Sequence, residues 1–146
     1  MNGRPGDPDG DLLARHQARA RGPAADVLGH EVVAVDHSRA AIELRFQARP
    51  EFCNPMGVVQ GGLLMAMLDQ SLVDAVMVAT DMAQRVMTLE MQTQFLQPAL
   101  PGALACEAKV TRAGRSTAFA EARLCDDAGN LLATATGVAA LQPRET

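Results

Sequence analysis

The sequence predicts an α+β domain: a curved antiparallel sheet of about six strands wrapped around one long central helix. Three observations carry this reading. The stretch "VVQGGLLMAMLDQSLVDAVMVA", residues 58–79, is apolar on nearly every side and is entered through Gly61 and Gly62, as suits a helix buried all round. Runs in which apolar and polar residues alternate lie on both sides of it. The runs that follow it are separated by short turn sequences, and short hairpins join antiparallel neighbours.

Taken in order, residues 1–22 are rich in Gly, Pro, Arg and Asp. They read as a flexible arm or a surface helix, with a short helix possible over 11–20, outside a single domain spanning 23–146. "AADVLG" is one or two helical turns closed by Gly29. Residues 31–36 and 40–47 form a hairpin about "HSRA", with Ala40, Ile42, Leu44 and Phe46 on one face. "RPEFCNPMGVVQGG" is a loop, by its prolines and glycines. A helix over 61–79 is on the order of 28 Å long. "RVMTLEMQTQFLQ" places Met87, Leu89, Met91 and Phe95 on one face, and Thr88, Glu90, Gln92 and Gln94 on the other. "ALACEAKVTR", "STAFAEARLC" and "LLATATGVAAL" complete a series of four strands joined by short hairpins.

Composition narrows the function. A formal charge of −4, from 13 basic and 17 acidic residues, leaves no basic surplus for nucleic acid. The longest apolar run, 63–68, is interrupted by Asp69 and Asp74 before it reaches the ~20 residues of a membrane span. No secretory leader is legible at the N-terminus. Three widely spaced cysteines, Cys53, Cys106 and Cys125, suit a reducing cytoplasm rather than a disulfide framework or a zinc site. His16, His30 and His37 lack metal-ligand spacing and read as partly exposed surface side chains. Neither a metal nor another cofactor is expected.

What remains is an acid in an apolar helix. An unpaired carboxylate is expensive to bury, so Asp69 is a candidate working group. Gly61 and Gly62, at the helix start, offer backbone N–H groups without intrahelical partners. Asp74 lies about 140° round the helix from Asp69, which argues against a shared dyad.

The element order and the run "NPMGVVQGGLLMAMLDQSL" resemble the hotdog fold, specifically acyl-CoA thioesterases of the phenylacetic-acid-pathway and 4-hydroxybenzoyl-CoA type. The resemblance covers about residues 27–141. It rests on Asn54, the glycine pair and an acid eight residues after Gly61, with Gln60 where most members carry His. It implies hydrolysis of an aromatic or medium-chain acyl-CoA without metal or redox cofactor, in a homodimer or dimer of dimers. It gives Gly61 the oxyanion-binding N–H and Asp69 the role of general base or nucleophile. Asn54 and Gln60 would hold the thioester or the water. Thr88 would orient the water from a strand supplied by the partner subunit, with Glu90 a reserve acid on its face. Gly62 and a basic hairpin of Arg112, Arg115 and Ser116 would meet the rest of the substrate, the arginines suiting CoA phosphates. Phe52 and the stripe of Met65, Met67, Met77, Met87 and Met91 would supply adaptable core or acyl-pocket wall. Two other readings stay open: a hotdog hydratase or dehydratase acting on a hydroxyacyl thioester, and a non-catalytic acyl-CoA binding module.

Overall fold

A computed structural model describes residues 6–145; the first five residues of the expected arm lie outside it. The elements are α1 (Pro8–Ala18), α2 (Pro23–Val27), β1 (Glu31–Asp36), β2 (Ala41–Ala48), a 3-10 turn (Pro50–Phe52), α3 (Gly61–Ala79), β3 (Gln84–Phe95), β4 (Gly102–Ala113), β5 (Thr117–Asp126) and β6 (Leu131–Pro143). All strand pairs are antiparallel in one sheet, in the order β1-β2-β4-β5-β6-β3. Helix α3 has the bounds its sequence predicts, and the sheet wraps it as the hotdog architecture requires.

The helix is held by two unlike walls. Ile42, Leu44 and Phe46 of β2 and Leu104 and Cys106 of β4 form a bulky one. The inner faces of β5 and β6 are small: Ala118, Ala120, Ala122, Ala133 and Ala135 are buried, which lets the helix sit close. At Gly137 the approach is tightest, because a Cβ there would stand 2.8 Å from Leu72 Cδ1 and 3.3 Å from the Glu90 carbonyl oxygen. Another close approach is Gly29, at φ +67°, where a Cβ would meet Gln47 at 2.8 Å; this fixes how α2 turns into β1. By length and apolar content α3 does qualify as a bilayer span, despite its two aspartates. Burial of ten of its residues, from Leu64 to Val78, shows that its apolar surface is satisfied by its own sheet.

Three expectations need correction. Strands β3 and β4 are not a hairpin: β3 lies at the far edge against β6, and residues 96–101 cross the end of the sheet to β4. Pro98 and Pro101 cannot donate to a tight hairpin ladder. Instead the Leu96 and Gln97 amides both donate to the Leu132 carbonyl, and Ala99 is buried with its carbonyl accepting from Val59 N. The N-terminal segment is not outside the core. Helix α1 starts at Pro8 behind an Asp7 cap; Leu12 joins the core and is 2% exposed, because α1 lies along β1 with Gln17 Nε2 donating to the Val32 carbonyl. His16 and His30, read as surface residues, are buried. His37 is exposed.

Candidate active site

The loop before α3 is shaped by Asn54. Its Oδ1 accepts from the Met56 amide at 2.9 Å and the Val58 amide at 3.3 Å, and its own amide donates to the Val58 carbonyl. Asn54 therefore builds the turn that delivers the chain to the helix, and its Nδ2 group is its remaining donor. Gln60 is the N-cap; its amide donates to the Phe52 carbonyl, its carbonyl receives the Leu63 amide, and its exposed side chain makes no capping bond. The first-turn amides of Gly61 and Gly62 have no intrahelical acceptors, and they sit at the positive end of a 19-residue helix.

Two turns deeper, half-buried Asp69 meets Thr88. The Thr88 hydroxyl donates to Asp69 Oδ1 at 2.6 Å. A β-bulge in β3 makes this contact. Thr88 pairs with Ala139 and Glu90 with Val138, so Leu89 is the extra residue, and the alternation changes phase across it. Directly opposed residues share a face: Thr88 lies with buried Ala139, then Met91 with Gly137, Thr93 with Ala135 and Phe95 with Ala133, all on the helix side. Glu90, opposite Val138, lies on the outer face, so it is not a reserve acid beside Thr88. Met87 and Leu89, expected to share a face with Met91 and Phe95, are exposed instead, Leu89 at 60%. A strict period of two misassigned this half of the strand because it has no place for a bulge.

Thr88 and Asp69 belong to one chain. The hydroxyl and the carboxylate therefore enter any site together. Gly61 and Asp69 are eight residues apart on one helix, about 12 Å along its axis, too far for both to serve one carbonyl within one chain. The Gly61 end of α3 instead faces the end of β3, where the Phe95 ring lies 3.1 Å from the place a Cβ on Gly61 would take.

The hairpin from β4 to β5 carries Arg112, Arg115 and Ser116, all exposed. The cross-sheet row Thr88, Ala139, Ala118, Ala113 puts this hairpin level with Thr88 and three strand spacings away, about 14 Å. It is not part of the Asp69 cluster. Phe52, expected in a pocket wall, is 6% exposed and packs in the core with the Arg49 guanidinium over its ring. Of the methionines, Met67 and Met77 are buried, Met65 and Met91 half-buried and Met87 exposed. The cavity beneath Thr88, lined by Leu72, Val76, Ala118 and Gly137, holds only about 10 Å³ and cannot take an acyl chain.

A second polar cluster escaped the sequence reading. Asp74 is fully buried; His30 Nε2 donates to its Oδ2 at 2.6 Å, Gln70 Nε2 donates to Oδ1 at 3.1 Å, and the Arg19 guanidinium, from just beyond α1, also reaches Oδ1. Buried His16 stands beside this group. Gln70 and Asp74 are an i, i+4 pair on α3, but His30 and Arg19 come from distant parts of the chain, and no spacing announces them; the available signal was the second acid in an otherwise apolar helix. Among the cysteines, burial pushes the Cys106 thiol up to about 12, which keeps it protonated and unreactive at neutral pH. Among the described residues no group of three His, Cys, Asp or Glu side chains is placed to hold a metal ion.

The fold has known relatives. A family model described as the thioesterase superfamily, 4HBT, matches residues 56–133, from the loop before α3 into β6. A Saccharolobus solfataricus relative named "Putative esterase" is 31% identical over 107 residues, 73% of this chain and 74% of that protein. The crystal structure of a phenylacetic acid degradation-related protein from Ralstonia eutropha JMP134 superposes with TM-score 0.81 at 35% identity, covering 88% of this chain and 98% of that one. The PaaI protein of the E. coli phenylacetic acid degradation operon shares the fold, with TM-score 0.76 at 17% identity over 88% of each chain. The chain belongs to the thioesterase superfamily, and its fold is the hotdog fold. Its class of chemistry is thioester hydrolysis.

Proposed function

We propose that the protein is an acyl-CoA thioesterase whose active site is shared between two copies of the chain, with no metal or other cofactor taking part. The observation that carries the reading is the 2.6 Å bond from Thr88 to Asp69 at an open sheet edge. Strand β3 pairs on one side only, and exposed Met87, Leu89 and Phe95 lie along it. Such an edge is a template for pairing with another copy. If two β3 strands pair antiparallel about a two-fold axis between Met91 and Gln92, Thr88 of one copy lies opposite Phe95 of the other. Asp69 of the first copy then approaches Gly61, Gln60 and Asn54 of the second. A homodimer supplies two such sites, and a dimer of dimers would preserve them.

In that arrangement the thioester carbonyl accepts from the Gly61 amide at the helix N-terminus, where developing negative charge is stabilised. Gly62 lets substrate pass close to the backbone, since a Cβ there would meet nothing within 4 Å. Thr88 occupies Oδ1 of Asp69 and leaves Oδ2 to take a proton from water. The water oxygen bonds to the carbonyl carbon, the tetrahedral oxyanion collapses, and the C–S bond breaks. The CoA thiolate recovers the proton through Asp69. Direct attack by Oδ2, giving an anhydride, uses the same geometry. Gln60 can hydrogen-bond the loop or the substrate carbonyl but cannot titrate, so the proton traffic falls to Asp69. Arg112, Arg115 and Ser116 stand where a long CoA tail leaving the site could meet exposed donors. An aromatic or medium-chain acyl group fits the apolar surroundings, and a cytoplasmic setting fits both the thiols and the substrate.

The test is thiol release from a panel of aromatic and straight-chain acyl-CoAs. Turnover supports the reading. Tight binding without turnover would favour a binding module, and a change in enoyl absorbance without thiol release would favour a hydratase. Single-turnover hydrolysis in heavy-oxygen water separates base from nucleophile: label in the Asp69 carboxylate marks an anhydride.

A further inference from the structure

We propose that Phe95 is the acyl-selecting wall of the oxyanion site, an inference that rests on the thioesterase reading above. The Phe95 ring presents its edge to Gly61: from the place a Cβ on Gly61 would take, Cζ is 3.1 Å away, Cε1 3.3 Å and Cε2 3.5 Å. The ring therefore occupies the space into which a side chain at position 61 would grow, and it bounds the amide that meets the carbonyl. It is placed there by three features. Its opposite residue on β6, Ala133, is small and buried, so the ring can lean over the helix. The amides of the next two residues, Leu96 and Gln97, donate to the Leu132 carbonyl at 2.8 and 3.2 Å, which anchors the end of the strand. The bulge at Leu89 gives Phe95 and Thr88 the same face, one at each end of the α3 contact.

Phe95 as a residue is 50% exposed in the single chain, so the side of its ring turned away from the helix is open toward the cleft that the proposed pairing of two β3 strands would form. An acyl group whose carbonyl oxygen sits on the Gly61 amide lies with its α-carbon beside this ring. A planar aromatic or unbranched acyl chain packs along it. A substituent on the α-carbon competes with it for space. Phe95, rather than buried Phe52, is the aromatic residue available for this role.

The experiment has two readouts. The first is a double-mutant cycle on thermal stability, with Gly61→Ala, Phe95→Ala and the pair. Gly61→Ala keeps the amide and brings a methyl within 3.1 Å of the ring, so its effect on Tm is more favourable in the Phe95→Ala background than in the native one. The second is the ratio of kcat/KM for an unbranched acyl-CoA to that for its 2-methyl analogue. Phe95→Ala lowers this ratio by about tenfold or more, the scale on which one pocket group discriminates, and Phe95→Leu lowers it less. Additive Tm changes overturn the contact and the proposal with it. A coupled cycle with an unchanged ratio overturns the selecting role and leaves the thioesterase reading standing. A folded native protein that releases thiol from no acyl-CoA overturns both.

Discussion

The hydroxyl of Thr88 donates to Oδ1 of Asp69 across 2.6 Å, between the edge strand and the central helix of one chain. One extra residue in β3, Leu89, turns Thr88 toward the helix and leaves its neighbours Met87 and Leu89 outside. The bond occupies one oxygen of the carboxylate, and in the proposed mechanism the other oxygen takes the proton.

Removing either partner should therefore have unequal effects. Asp69→Asn keeps size and loses the base, and should lower kcat by about 10²-fold or more. Thr88→Val keeps shape and loses only the orienting bond, so a loss of about tenfold is expected; Thr88→Ser should recover most of it. Steady-state thiol release measures all three. Equal losses for Thr88→Val and Asp69→Asn would mean that Thr88 touches the reacting atoms itself.

In the proposed arrangement, the separation of about 12 Å between Gly61 and Asp69 along α3 is bridged by setting Gly61 of one chain against Asp69 of another. Gly61→Val and Asp69→Asn should each inactivate the proposed homodimer. When the two chains are refolded together, a heterodimer contains one site with both defects and one with neither. Recovery of about a quarter of native activity is expected from random pairing, since half of the dimers then carry one intact site. No recovery, with mixed dimers shown to form, would place the whole site within one chain.

The same logic locates the interface. Leu89 is 60% exposed on the open edge of β3, and Leu89→Lys places a charge where the second strand would pair. Sedimentation should show a monomer that retains the native circular dichroism spectrum and has lost turnover. A dimer of undiminished activity would move the interface elsewhere.

Asp74 is structural, and its loss should be felt in stability rather than in mechanism. Asp74→Ala leaves His30 and Arg19 without their common partner in a buried setting, at a cost of about 3–5 kcal/mol. Denaturant unfolding measures this. Since α1 is held to α3 through Arg19, amide exchange in residues 8–18 should accelerate in the milder Asp74→Asn.

Buried His16 gives the fold an acid-sensitive element. Burial lowers its pKa below 6.5, and the Arg19, Arg15 and His30 charges add to this, while Asp74 partly opposes it. Because the folded pKa is the lower one, the unfolded chain binds more protons in the window between the two values. Stability should thus be level above pH 6.5 and fall as pH drops from there through the folded pKa. His16→Leu should flatten that part of the urea-midpoint profile. A midpoint that rises on acidification over the same window would contradict the sign.

The legible part of the site was local. Gly61, Gly62 and Asp69 lie on one continuous helix, whose bounds follow from a run of apolar residues between a glycine pair and a polar turn. Thr88 was found by resemblance, yet its face assignment by strict alternation failed for the residues around it, because a bulge is decided by how the strand fits β6. The His30–Asp74 bond joins residues 44 apart, and the Phe95 contact with Gly61 joins the end of an edge strand to the start of a helix. No period or spacing relates such residues.

The sequence by itself determined the class of fold, the central helix, most strand positions and the acid in an apolar helix, because each depends on short-range periodicity and on the cost of burying charge. Only the tertiary structure decided the strand order, the phase of β3, the burial of α1 with its histidine, and the aromatic ring beside Gly61. Those depend on which surfaces meet. The small alanine face of β5 and β6 and the cross-sheet position of β3 brought them together.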